Sequence, residues 1–363
     1  MGRRVLIATG ALVLSGCISL RPDVVARCGK LPAIRTTNGV SSTDVRVLTY
    51  NVEGLPWPAR SGRTRYLEAI GQRLALDRRS GSEADVVLLQ EAFSNAAARA
   101  VLTAGYPNRV SGPSLKSRRY APSSEAPATL VDRRKVRRGE GLGPVLGSGL
   151  WILSDYPVIA GTGRAFRRGE CAGSDCLAKK GVQWARVQIP GVPAGLDLFN
   201  THLQSRSASG VSRNRSLAAH RLQVNELSQF IRTYRGPGNA LIFGGDFNMR
   251  HSARRFKQFD LKQPWPLVHR YCTDARNACR VLASWDGDAP WMDTQDLQGF
   301  SSGSFVQVRP IQVETRFDQP WQGSRYSDHD GLLVTYRLSW PASPSGREGC
   351  GSLSLRAAAS RLG

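Results

Sequence analysis

The chain has 363 residues, 41% hydrophobic and 21% charged, which is enough apolar material for a large core and excludes disorder as its main state. Fifty lysines and arginines stand against 28 acidic residues, a formal net charge of +22 that points to an anionic partner: nucleic acid, an anionic membrane surface or a phosphate-bearing substrate. Length alone allows two domains or one large α/β domain.

In chain order, Arg3 and Arg4 precede an apolar run at residues 5–14, too short to span a bilayer and shaped like a secretory signal. Leu14-Ser15-Gly16-Cys17 follows and resembles a bacterial lipobox. That resemblance implies cleavage before Cys17 and lipidation of its thiol; the competing reading is a plain signal peptide with a chance cysteine. The expectation is an exported bacterial lipoprotein of the cell envelope, periplasmic or on the outer surface. Acyl chains on Cys17 would anchor it without spanning. Residues 1–16 are then the signal, 17–42 a linker, 43–340 the main domain and 341–363 a tail.

Residues 45–50 (VRVLTY) read as a strand, and 64–76 as a helix with Leu67, Ile70 and Leu74 on one face. Residues 85–89, 150–153, 182–189, 196–201 and 240–243 read as further strands, 217–232 as a helix striped by Leu217, Val224, Leu227 and Ile231, and 331–338 as a closing strand. Such alternation means an α/β layered protein. Residues 109–140 carry nine basic against three acidic residues and read as a long basic loop, either a solvated insertion or a binding segment. Residues 264–300 form a second excursion, where Trp265 and Trp291 read either as interfacial aromatics or as loop packing.

Six cysteines remain after Cys17, an even number that suggests disulfides in an exported protein. Proximity suggests Cys171 with Cys176 and Cys272 with Cys279, leaving Cys28 for Cys350. None of the spacings is a zinc pattern.

The polar residues with chemical potential sit at strand ends. Asn51, Glu91, His202, and Asp246 with Asn248 each follow an apolar run, while Asp328 and His329 precede one. One sheet edge collects such ends in a layered α/β protein. Each alone is ordinary turn chemistry; their joint occurrence is not. Glu91, Asp246 and the amides of Asn51 and Asn248 are hard oxygen donors suited to magnesium, manganese or calcium. His329 beside Asp328 has the make-up of an oriented general base, and His202 of a leaving-group acid or charge stabiliser. Hydrolysis of a phosphate ester wants this set.

Tyr50-Asn51-Val52, Leu89-Gln90-Glu91, Asn200-Thr201-His202-Leu203-Gln204, Gly244-Gly245-Asp246-Phe247-Asn248 and Ser327-Asp328-His329 resemble the ordered motif series of the endonuclease/exonuclease/phosphatase superfamily. The resemblance implies one domain, a four-layer α/β sandwich with two central, mostly antiparallel sheets, and a metal-dependent phosphodiesterase or phosphatase. It implies Asn51, Glu91, Asp246 and His329 at the metal, and His202, Asp246, Asn248, Asp328 and His329 in catalysis. Mg2+ is the implied ion, with Mn2+ or Ca2+ as alternatives. Within those roles Asp328 supports His329, the base, and water is the nucleophile.

Gly149-Leu150-Trp151-Ile152-Leu153-Ser154, Lys180-Gly181-Val182 and Ser284-Trp285-Asp286 are similar to the bacterial neutral sphingomyelinase (sphingomyelinase C) branch, implying a phospholipid substrate. An exported DNase-like endonuclease is the alternative, favoured by charge. A non-catalytic surface binding protein is the second alternative. A monomer is expected.

Overall fold

The computed structural model describes residues 27–282 and 295–342. The strands in chain order are β1 (Arg35–Thr37), β2 (Val40–Asn51), β3 (Val86–Gln90), β4 (Asn108–Ser111), β5 (Trp151–Ser154), β6 (Val158–Ala165), β7 (Gly181–Val187), β8 (Leu196–His202), β9 (Ala240–Asp246), β10 (Arg280–Val281), β11 (Asp296–Ser301), β12 (Gln307–Arg316) and β13 (Gly331–Pro341). The helices are α1 (Thr64–Ser80), α2 (Asn95–Thr103), α3 (Ala128–Val131), α4 (Arg213–Tyr234), α5 (Ala253–Lys262) and α6 (Val268–Thr273).

The strands form two sheets. One runs β10-β12-β13-β2-β3-β5-β4 with β1 added beside β2; the other runs β11-β9-β8-β7-β6. Pairing is antiparallel except for β2 with β3, β8 with β9 and the short β10 with β12. A parallel pair needs a crossover, and α1 and α4 supply it for the first two. This is the expected four-layer α/β sandwich.

Strand periodicity explains the layers. Along β2, Val45 and Val47 face the second sheet, while Leu48 and Tyr50 face the layer of α1 and α2. Both faces of the central strands are buried, so they read as near-continuous apolar runs. Leu67, Ile70 and Leu74 of α1 are buried as its spacing predicts, and Gly81 at φ 74° ends the helix. On the other side Val224, Leu227, Phe230 and Ile231 of α4 pack on Phe199, Leu241 and Phe243. Each such side chain contributes about 1.5–3 kcal/mol on burial.

Buried amides bridge the two sheets. Gln90 Nε2 donates to Asn200 Oδ1 at 2.7 Å, and Asn200 Nδ2 donates to the carbonyls of Leu89 (2.9 Å) and Trp151 (3.0 Å). Gln298 Nε2 reaches across to Val47 O (2.9 Å) and Leu332 O (3.0 Å).

The structure differs from the sequence reading at several points. β1 and the start of β2 lie in the segment expected to be a linker. The basic excursion at 109–140 is folded, with α3, a 3₁₀ turn at Val136–Arg138 and β4 at its start. Its few acids hold it in place: Glu140 accepts from Arg215 Nε at 2.7 Å and from the Gly173 amide at 2.9 Å. Arg119 donates to Phe166 O at 3.0 Å. Those partners are distant in sequence, so composition alone could not reveal them. Trp265 packs on Phe243 with ring centroids 6.2 Å apart, inside the helix-facing layer. That replaces its interfacial reading. Trp285, Trp291 and the Ser284-Trp285-Asp286 motif lie outside the described residues.

Cys171–Cys176 and Cys272–Cys279 are both bonded. Cys28 is also disulfide-bonded, but Cys350, and with it the expected third pairing, lies outside the described residues. So does Cys17. Among the described residues no helix is long and apolar enough to cross a membrane.

Candidate active site

Sheet register builds the site. In the parallel β8–β9 pair His202 stands beside Asp246, and in the antiparallel β9–β11 pair Asp246 stands beside Asp296. His202, Asp246 and Asp296 therefore form one row across three strands. From the other sheet, Asn51 ends β2 and Glu91 follows β3, with Asn51 paired to Gln90. The two edges meet: Asn51 Nδ2 donates to Asp246 Oδ2 at 3.1 Å and to Glu91 Oε1 at 3.2 Å.

Backbone strain marks the same place. Glu91 (φ 57°), Asn248 (φ 53°) and Glu53 (φ 49°) hold left-handed conformations that cost non-glycine residues energy and cluster at functional sites. Gly245, at φ 149°, admits no side chain: a Cβ there would lie 2.1 Å from Thr201 O.

Donor atoms of Glu91, His202 and Asp246 all lie within 4.8 Å of one another. His202 Nε2 is 3.3 Å from Asp246 Oδ2 and 3.8 Å from Glu91 Oε1. Two carboxylate oxygens converging on one amide group, one of them fully buried, make a donor set that fits a hard divalent cation. Burial alone would favour the neutral acid. The rings of His202 and His329 and the Lys180 ammonium outweigh it and hold the Asp246 carboxyl well below the usual carboxylate range.

The geometry redistributes the expected ligands. His202 stands in the acidic group where His329 was expected. His329 Nε2 is 4.0 Å from Asp246 Oδ2, at the margin. Asn51 turns its NH2 toward the carboxylates, and its Oδ1 accepts the Glu53 backbone N–H at 3.0 Å. Asn248 Nδ2 donates to Leu203 O at 3.1 Å, and its backbone N–H donates to Asp246 Oδ1 at 2.9 Å.

Asp328 also departs from expectation. Its side chain is half exposed, 3.6 Å from Arg60, and its backbone N–H donates to Glu53 Oε2 at 3.1 Å. The carboxylate against His329 is Asp296, with Oδ2 2.7 Å from Nδ1. Adjacent residues project differently, so Asp328 points outward when His329 points in. Burial opposes charge on the His329 ring, but Asp296, then Asp246 and Asp328, raise it well above the usual histidine value. Ser327 explains its place in the motif. Its hydroxyl donates to Asn51 O at 2.7 Å and accepts the His329 amide at 3.2 Å, docking the loop on β2.

Sequence reasoning missed Asp296, whose only signal was an acid opening a buried strand. It quoted Lys180 without a role. Lys180 Nζ lies 2.9 Å from His202 Nε2 and donates to Asp175 Oδ2 at 2.8 Å and Leu203 O at 3.1 Å. It is the buried cation nearest the row.

A family model described as the Endonuclease/Exonuclease/phosphatase family matches residues 48–332. Over 220 residues the chain is 27% identical to a sphingomyelinase of Mycobacterium bovis, covering 60% of this chain and 36% of that protein. The chain thus spans little more than a third of the length of the curated relatives it matches. Among solved structures it is similar to a beta toxin mutant from Staphylococcus aureus with bound magnesium ions (TM-score 0.56, 18% identity, 80% of this chain and 99% of that one). It is also similar to D. rerio TDP2 complexed with a single-strand DNA product (TM-score 0.51, 17% identity, 81% and 98%). These structural likenesses speak to the fold alone. The motif order, the two-sheet register that joins Asn51 to His329, and a family match running from β2 into β13 lead to one conclusion: the chain belongs to the endonuclease/exonuclease/phosphatase family.

Proposed function

We propose that this protein is a divalent-metal-dependent phosphodiesterase that hydrolyses phospholipid head groups in the manner of a sphingomyelinase. The convergence of Glu91, His202 and Asp246 beside the His329–Asp296 pair carries the reading. Sphingomyelinase relatives support the substrate class, and a neighbour with bound magnesium supports Mg2+, with Mn2+ or Ca2+ as the alternatives.

Glu91 and Asp246 would hold the ion, with Asn51 steadying both carboxylates and the His202 ring beside them. Such an ion would neutralise phosphate charge, acidify a bound water and offset the carboxylate charge that raises the His329 ring above its usual value. His329 Nε2 is placed to take a proton from the attacking water, while Asp296 fixes Nδ1–H and so the tautomer. Lys180, through His202 and close to the phosphoryl position, stabilises charge that builds on the phosphoryl oxygens. Asn248, held by Leu203 O, presents its remaining amide oxygen to the water or phosphate. Water attacks phosphorus directly as the P–O bond to the leaving group breaks, the leaving oxygen departs as the alcohol after taking up a proton from solvent, and no covalent enzyme intermediate forms. Asp328 is outside the reacting group and tunes polarity through Arg60 and Glu53.

Export as an envelope lipoprotein anchored through Cys17 is part of the same proposal. It is supported by residues 1–17 and by the disulfides, which persist in oxidising compartments. Mass spectrometry of the mature N-terminus tests it: a diacylglyceryl mass on Cys17 supports the anchor, and an unmodified cysteine refutes it.

The second reading is a nuclease. The +22 charge and the DNA-bound structural neighbour favour it. One assay separates the two: sphingomyelin liposomes, phosphatidylcholine liposomes and plasmid DNA side by side, with magnesium or EDTA, and His329→Ala as control. Metal-dependent phosphocholine release with intact plasmid supports the lipid reading. Plasmid cleavage without lipid turnover replaces it with the nuclease.

A further inference from the structure

The basic excursion and the Cys171–Cys176 loop form a cavity of about 650 Å3. Arg118, Arg119, Arg134, Arg168 and Lys179 line it. A neighbouring recess shares the four arginines and adds Arg167 and Tyr120. The acid on the cavity wall is Glu140, and its charge is already committed to Arg215 Nε at 2.7 Å. Arg168 has no side-chain partner among the described residues, and Arg118 only stacks over Tyr120 at 5.0 Å. Burial first, and then Arg119 and Arg168, push the Lys179 ammonium below its usual value. Clustered cations with no matching acid are relieved by a bound anion.

Exposed apolar side chains stand on and beside the cavity wall. Leu115 on the wall is 49% exposed, and Leu142 and Val145, which flank wall residues Gly143 and Pro144, are 65% and 64% exposed. Tyr120 and the nearby Val136 are exposed as well. A pocket for a soluble anion has no use for such a rim. Basic groups set among protruding apolar side chains suit the interface of an anionic bilayer.

We propose that this cavity binds the headgroup of an anionic phospholipid, and that Leu115, Leu142 and Val145 enter the same bilayer surface. The pocket is distinct from the candidate active site but adjoins it. Lys179 faces the cavity while Lys180, the next residue, lies on His202.

The test is flotation of the full chain with phosphatidylcholine vesicles and with vesicles that also contain phosphatidylglycerol. Phosphatidylglycerol should strengthen binding. Arg118→Ser with Arg168→Ser should weaken it about thirtyfold, and Leu142→Ser with Val145→Ser about tenfold. Arg65→Ser with Arg79→Ser, the same charge loss on α1 in the opposite helical layer, should change it by about twofold or less. His329→Ala should bind as the parent does, so failure of the proposed activity and failure of this pocket are separate results. Unchanged thermal midpoints confirm that the variants fold. Equal losses in the pocket and α1 variants would mean adhesion by net charge and overturn the proposal. So would an absence of phosphatidylglycerol preference. Inorganic phosphate that protects the pocket while pocket variants still bind vesicles normally would make it a free-anion site and overturn it too.

Discussion

Asp296 rather than Asp328 should govern His329, and Asp296→Asn isolates that claim because it removes the charge and keeps the shape. In the native pair Oδ2 sits 2.7 Å from Nδ1, and the Asp296 side chain is fully buried while His329 is 10% exposed. A charge-assisted hydrogen bond of this kind is worth about 1.5–3 kcal/mol, or about 10- to 150-fold in rate if it is needed in the transition state. The amide can also turn its NH2 toward Nδ1, which moves the ring proton to Nε2 and removes the base. A loss of about a hundredfold in kcat is therefore expected. Asp328, half exposed and 3.6 Å from Arg60, makes a surface ion pair worth about 0–1 kcal/mol. Asp328→Asn should cost less than about fivefold. The assay is metal-dependent hydrolysis of bis(p-nitrophenyl) phosphate, with ring-nitrogen NMR of His329 as the readout independent of turnover. A larger loss in Asp328→Asn, or an unchanged His329 tautomer in Asp296→Asn, would refute the reasoning.

Magnesium should raise the thermal midpoint by relieving the Glu91–Asp246 repulsion, EDTA should reverse it, and Glu91→Gln should blunt the response in a melting titration. Asn200→Leu should cost about 3 kcal/mol, because it removes the side-chain donor to the carbonyls of Leu89 and Trp151 and one of the acceptors of the Gln90 amide inside the sandwich. A fall in melting temperature of about 6 °C checks that. Glu226 is raised to about 8, by burial first and by Glu170 beside it, against the Arg167 amide that lowers it. Its folded-state pKa lies above the unfolded one, so its contribution is complete below the usual carboxylate range and is lost as pH rises toward 8 and beyond. Glu226→Gln should therefore melt with the parent at pH 5 and above it at pH 9, by on the order of 2 kcal/mol.

The central fold was legible because its strands are buried on both faces. VRVLTY, DVVLL and ALIF announce themselves without partners, and the stripe of α4 emerges from spacing alone. Edge strands such as β4 and β6 were not legible, since they alternate weakly and take their identity from a neighbour. The same distinction holds at the site. Asn51, Glu91, His202, Asp246 and His329 could be named because each sits beside an apolar run. The choice between Asp328 and Asp296 depended on the register of β11 against β9, a contact that no local pattern encodes. Gln90 and Asn200 stand in the motifs for a similar reason: they join the sheets, and motif position does not distinguish a bridge from a catalyst.

The bridging of the two sheets by buried amides also sets when chemistry becomes possible. Each carboxylate of the candidate metal group belongs to a different sheet, and each sheet rests on a parallel pair whose closure waits for a helical crossover. A nascent chain halted at β9 already contains Asn51, Glu91, His202 and Asp246, yet lacks Asp296, His329 and the strand that places β2 at the centre of its sheet. The candidate site is complete only once β13 is made, so on the proposed reading the partly made chain has no hydrolytic centre to turn on its surroundings.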